Sequence, residues 1–194
     1  VAPTTPPAAS TAAPTSTPAA TGAFPVTVEH YFGTTTIEEQ PTRVLAMGDY
    51  VELDSLLALG VRPIAFGFTN SWATGTSPWQ TEAGIADIEQ FDASGEVSPE
   101  TIATFDPDLI LALPNPAEDQ LDDLQAIAPV VGIAWNADWR DALDIVAQAT
   151  GTTESAAGLV AEVEGKIAAA KEQVSGYGNL NTMIGSLYGD VLYV

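Results

Sequence analysis

Six aromatic side chains, Tyr50, Phe68, Trp72, Trp79, Trp135 and Trp139, fall in or beside segments that should follow β-strands. Rings at such positions give rigid apolar walls with a polar tip, which suits a bulky organic ligand. Any one of them can equally be packing in a core or under a loop; it is the group that makes a hydrophobic cleft the expectation. Asp49, in the turn Gly48-Asp49-Tyr50, can hydrogen-bond a ligand or cap the following helix, and capping is the more common use. Arg140 is the one cation near a strand end. Arg43 and Arg62 precede or begin strands, and Lys166 and Lys171 belong to a long helix. So few cations at the mouth disfavour a strongly anionic ligand and favour a neutral or cationic one.

Other chemistries find less support. A metal held by side chains alone needs several histidines with carboxylates, and His30, the only histidine, sits in a hairpin and is expected to be structural. There is no phosphate loop, no G-x-G-x-x-G, no G-x-S-x-G and no histidine near a candidate nucleophile. The pair Asp122-Asp123 lies on a helix surface with no group to tune it. No catalytic residue is assigned, and an unrelated α/β enzyme remains a weaker alternative, because α/β sheets host many functions.

These residues need a frame, and the sequence supplies one. Val26 to His30 and Thr34 to Ile37 read as a small hairpin. Val44 to Met47 reads as a buried strand, and Val51 to Leu59 as a helix stopped by Gly60. Val61 to Phe68 reads as a second strand, which makes a parallel crossover. A long loop, Thr69 to Ala83, follows. Ser98-Pro99 starts a short helix reaching about Phe105. Then come a strand at Leu109 to Leu113, a helix at Ala117 to Ile127, a strand at Pro129 to Ala134 and a helix at Ala137 to Gln148. Thr153 opens the longest helix, with Ala156, Leu159, Val160, Val163, Ile167, Ala170 and Val174 at helical spacing. The fold class is therefore α/β, an open, mostly parallel sheet lobe flanked by helices. Ligands in such sheets bind beyond the carboxyl ends of the strands.

Composition narrows the function classes. At 194 residues with 46% hydrophobic content the chain can bury a sizeable core. Five Lys plus Arg against 26 Asp plus Glu give a net charge of −21, which repels nucleic acid. So much acid is expected mainly to keep an extracytoplasmic or salt-adapted surface soluble. Without cysteine there is no disulfide or thiol chemistry, and no apolar run reaches the roughly 20 residues that cross a membrane. The first 23 residues are uncharged and dominated by Ala, Thr, Pro and Ser, so a flexible tether is expected there.

The chain also resembles a known family. Gly-Thr-Thr-Thr-Ile at 33–37, Pro41, Arg43-Val44, the strand-helix-strand up to Gly67, Ser98-Pro99-Glu100, Phe105 to Leu111, Ile127 to Val131 and Trp139-Arg140 stand in the order and spacing of the iron-siderophore substrate-binding proteins of bacterial ABC importers. That resemblance implies an extracytoplasmic protein that captures a ferric siderophore in a cleft between two lobes and delivers it to a membrane permease. Haem or a corrinoid is the alternative ligand. It also implies that the long helix is the spine between the lobes and that Glu100 pairs with permease arginines, although an acid in a helix's first turn is favourable anyway. The expected division is a tether over 1–25, an N-terminal lobe over 26–151, the spine over 152–175 and the start of a second lobe over 176–194. Iron is expected only as part of the chelate, with no resident cofactor. In such proteins a lipid-anchored cysteine commonly precedes the tether, so a membrane-attached lipoprotein at the cell surface or in the periplasm is expected.

Overall fold

The structure is a computed structural model that describes residues 24–68, 77–177, 186–188 and 191–193. The expected tether, apart from Phe24-Pro25, lies outside the described residues, as do Trp72 with the loop around it and most of the chain after Tyr177. Strands β1 (Val26–His30) and β2 (Gly33–Ile37) form an antiparallel hairpin. The central sheet holds β3 (Val44–Ala46), β4 (Ala65–Phe68), β5 (Glu89–Asp92), β6 (Leu109–Ala112) and β7 (Val130–Gly132). Its order is β5-β4-β3-β6-β7 and every neighbouring pair is parallel.

Alternation along the strands builds two cores. Val44, Ala46, Leu109 and Leu111 face one side, where Leu53 and Leu56 of helix α1 (Val51–Ala58), Leu143 and Val146 of another helix, and Val28 and Ile37 of the hairpin cover them. Leu45, Met47, Ile110 and Ala112 face the other, covered by Ile102 and Leu124. A parallel sheet must be buried on both faces, and period-two side chains on near-continuous apolar runs achieve it. A short helix α2 (Pro78–Glu82) precedes β5, and α3 (Pro99–Thr104) carries Ile102.

Four expectations change. The loop expected over Thr69 to Ala83 ends in helix α2, which a capping box of Ser77 and Gln80 opens. Only Ala65–Phe68 of the run from Val61 is strand; Pro63, with no N–H to give a ladder, delays it. The helix expected over Ala117 to Ile127 is divided into α4 (Pro114–Ala117), a 3-10 turn (Glu118–Gln120) and α5 (Leu121–Gln125). Strand β5 was not anticipated, because its sequence, Glu-Gln-Phe-Asp, turns only Phe91 into the core, as an edge strand can.

Helix α6 (Trp139–Thr150) starts where Asp138 accepts the Arg140 N–H at 2.9 Å and ends at Gly151, whose φ of 74° is the left-handed stop. Helix α7 (Thr153–Gln173) packs on α6 through Ala156, Leu159 and Val160, while Ile167 and Val174 are exposed. Among the described residues no helix is long and apolar enough to cross a membrane. Ser186–Tyr188 (β8) and Val191–Tyr193 (β9) pair antiparallel.

His30 locks the hairpin to the sheet. Its Nδ1 accepts the N–H groups of Phe32 and Gly132, which leaves the proton on Nε2, 2.8 Å from Thr35 Oγ1; that hydroxyl donates to Val130 O. Burial lowers its pKa, in keeping with a neutral ring that accepts two bonds.

Candidate functional site

The chain runs from β3 through β4 to β5 on one side of the sheet and then to β6 and β7 on the other, which puts the topological switch point between β3 and β6. Gly48, Asp49 and Tyr50 follow β3, Phe68 ends β4, Leu113 follows β6, and Trp135, Trp139 and Arg140 follow β7. Parallel strands put all these positions on one edge. Glu100, in the first turn of α3 after β5, is exposed. Trp72 falls outside the described residues.

Four of the rings are open to solvent: Trp135 and Trp79 are 60% and 59% exposed, and Tyr50 and Trp139 are each 38% exposed. Apolar rings left uncovered along one edge are what a binding wall presents. Phe68 differs, being partly buried against the core. Arg140 lies 4.4 Å from the centroid of the Trp139 ring and donates to Glu164 at 2.8 Å and Asp138 at 3.3 Å. Its guanidinium thus ties the first turn of α6 to α7.

Asp49 does not cap α1. Tyr50 occupies that position, with Asp54 N–H bonded to Tyr50 O at 2.7 Å and no side-chain cap. The turn after β3 is one residue longer than capping by Asp49 requires. Asp49 instead offers its backbone carbonyl to Gln80 Nε2 at 2.8 Å. Gln80 is buried, also donates to Asp54 Oδ1 at 2.9 Å, and accepts the Ser77 N–H at 3.0 Å. Trp79 Nε1 reaches the same Asp54 oxygen at 3.1 Å. Helix α2 is therefore fastened to the Asp49 turn by one glutamine, with the Trp79 ring held beside it.

Glu52 lies beneath that turn. It is fully buried; Oε1 accepts the Leu113 N–H at 3.0 Å and Oε2 has no hydrogen-bond partner. Both oxygens lie close to Gly48, where an added Cβ would meet them at 3.1 and 3.2 Å. Burial, with a smaller contribution from the Asp49 charge, pushes its pKa up to about 7 against the pull of hydrogen bonds from backbone N–H groups. The carboxyl joins the β3 turn to the loop after β6 across the switch point.

Sequence reasoning passed over Glu52 and Gln80. For Glu52 a signal exists, because it shares the helical face of Leu56 and Leu59, four and seven positions on, both of which are buried. For Gln80 the signal is partial: Ser77-Pro78-Trp79-Gln80 has the spacing of a capping box, but its bonds to Asp54 and Asp49 reach 26 and 31 residues and nothing local shows them. Among the described residues no cluster of three or more His, Asp or Glu is placed to hold a metal ion. A cavity of about 300 Å³ opens at the opposite edge of the sheet, lined by Thr36 to Thr42, Asp108 and Pro129. It has no aromatic ring, and Asp108 already accepts the N–H groups of Thr42 and Arg43 and the Thr42 hydroxyl.

A family model described as periplasmic binding protein matches residues 45–187. The ferric enterobactin-binding periplasmic protein FepB of Escherichia coli O6:H1 is 32% identical over 152 residues, covering 73% of this chain and 47% of that protein. The Staphylococcus aureus protein SirA, solved with staphyloferrin B, superposes with a TM-score of 0.67 at 26% identity over 80% of this chain and 53% of its own. Streptococcus pneumoniae PiaA, solved with ferrichrome, superposes with a TM-score of 0.65 at 28% identity, covering 77% and 52%. The chain spans somewhat less than half the length of the curated relatives it matches.

Proposed function

Because the chain belongs to the periplasmic binding protein family, we propose that it forms one lobe and the spine of an extracytoplasmic protein that captures a ferric siderophore for an ABC importer. The single observation that carries this reading is the wall itself: Tyr50, Trp79, Trp135 and Trp139 stand uncovered along the carboxyl edge of a parallel sheet. The names of matching proteins point the same way: a relative in sequence is named for ferric enterobactin, and two proteins that share the fold were solved with staphyloferrin B and with ferrichrome. Capture needs no bond to be made or broken. The rings supply dispersion and a dry surface, and the mouth turns and Arg140 give it a polar rim.

Charge narrows the cargo. Of the five cations in the chain, Arg43 is bonded to the carbonyls of Phe105 and Asp106, Arg62 to Gly84 O and Asp87, and Lys166 to Glu162. Lys171 lies in the last turn of α7. Arg140 alone is at the wall, shared between two carboxylates. A neutral or cationic chelate, such as a ferric hydroxamate, suits this surface better than a trianionic one. Titration of the full-length protein with a ferric hydroxamate, a ferric catecholate, haem and cobalamin, read by tryptophan quenching, tests both statements. The hydroxamate should bind most tightly. Preference for haem or cobalamin would replace the siderophore reading, and silence toward all four would end it.

Delivery requires a permease, and Glu100 is the docking residue in this reading, exposed on a lobe surface and stiffened by the Ser98 cap. A membrane-anchored lipoprotein outside the cytoplasm fits the same role. Charge reversal by Glu100→Lys should impair uptake in cells and leave chelate affinity unchanged. Lost affinity would move Glu100 from docking to the cleft or the fold.

A further inference from the structure

We infer that Glu52 is a positioning residue of the ligand wall: its carboxyl, as the neutral acid, ties the turn after β3 to the loop after β6 at the switch point, and chelate capture requires that form. This rests on the siderophore-capture reading for its ligand and on geometry for the tie. The side chain is fully buried, one oxygen holds the Leu113 N–H at 3.0 Å, the other has no partner, and both lie against Gly48. The two loops it joins leave adjacent strands, β3 and β6, with Leu45 opposite Ile110. A change in its length or charge therefore moves both sides of the crevice at once.

The surroundings offer no cation to neutralise it. Asp49, from the turn above, adds repulsion. Strand β3 and the segment from Leu113 to Ala117 contain no charged residue. Helix α6 turns Ala142, Leu143 and Val146 inward, leaves Asp141 and Asp144 exposed and holds Arg140 against Asp138 and Glu164, while α2 buries Gln80 and exposes Glu82. On α1 itself, Asp54 is bonded to Trp79 and Gln80. Arg140 apart, whose charge is taken up by two carboxylates, these groups are neutral or acidic, so a proton is what balances the buried carboxylate. When the proton leaves, an unpaired buried charge must draw water into the crevice, and the spacing of the Tyr50 and Leu113 loops relaxes. Asn or Asp at this position would be too short to reach Leu113, but Gln keeps the length and the acceptor without the charge.

The test follows tryptophan quenching of the full-length protein by a ferric hydroxamate from about pH 5.5 to pH 8.5, for the unsubstituted protein and for Glu52→Gln. In the unsubstituted protein affinity should fall several-fold across the interval, with a midpoint near pH 7. Glu52→Gln should bind equally well at both ends, and Glu52→Asp weakly throughout. Any protonation of the chelate itself is common to all three proteins and cancels. In the same proteins without chelate, the Leu113 amide resonance should titrate near pH 7 and stay still in Glu52→Gln. Equal pH slopes in the unsubstituted protein and Glu52→Gln would overturn the proposal, as would a Leu113 amide that does not titrate. Quenching by no chelate would instead overturn the siderophore reading, and the Leu113 titration would then decide the tie by itself: movement sustains it and stillness overturns it.

Discussion

Between pH 4.5 and about pH 8 the unsubstituted protein should lose about 3 kcal/mol of folding stability that Glu52→Gln does not lose. In the unfolded chain Glu52 titrates at its ordinary 4.5, and in the folded protein burial raises it to about 7. The folded state therefore holds the proton more tightly. Its contribution is present in full below pH 4.5 and is lost as the pH rises through 7, where folding must bury an unpaired carboxylate. Urea unfolding of both proteins at the two pH values measures the difference directly. His30 titrates in the opposite sense, since its lowered pKa gives stability that is present above 6.5 and lost as the pH falls below it. Both proteins contain His30, so its effect drops out of the comparison. A difference between the two proteins that does not change with pH would mean that Glu52 is not the buried acid this geometry makes it.

Gly67→Ala should destabilise the protein by about 3 kcal/mol, the upper part of the range for overpacking a core. A Cβ at Gly67 would stand 2.3 Å from the backbone carbonyl of Met47, 2.8 Å from Ala93 Cβ and 2.9 Å from the Phe91 ring. The first of these cannot be relieved by turning a side chain. It requires β3 and β4 to separate one residue before Gly48, at the foot of the mouth. Gly95→Ala is the matched control, because a Cβ there meets nothing within 4 Å, and its effect should stay within about 0.5 kcal/mol. Denaturation midpoints of the two variants at constant m-value give the answer. Similar midpoints would show that the strands separate without cost.

Most of the scaffold was legible because its signals are local. Val44 to Met47 and Leu109 to Leu113 are apolar runs too short for helices, and the α7 pattern recurs over 21 residues with no competing period. Helix α5 was harder: Leu121 and Leu124 gave the right period, yet nothing local showed the 3-10 turn at Glu118–Gln120. Strand β5 was illegible, since a strand with one inward residue has no apolar alternation to read. The site divides in the same way. Exposed rings after strands could be picked out by type and position, and the structure places Tyr50, Trp135 and Trp139 on one edge. The residues that hold the edge together could not be chosen by type. By type Glu52 reads as a solvated acid in a first turn; its place on the face of Leu56 and Leu59 signals burial, but its partner Leu113 is 61 positions away.

Hydrogen exchange of the full-length protein, with and without a bound ferric chelate, asks most directly whether the carboxyl edge of the sheet is the ligand wall. Chelate should slow exchange at residues 47–54, 113–117 and 133–140, the three segments that carry the Tyr50 turn, the Leu113 loop and the tryptophans. Slowing confined to 36–42 and the neighbourhood of Asp108 and Pro129, which line the cavity at the opposite edge, would contradict it.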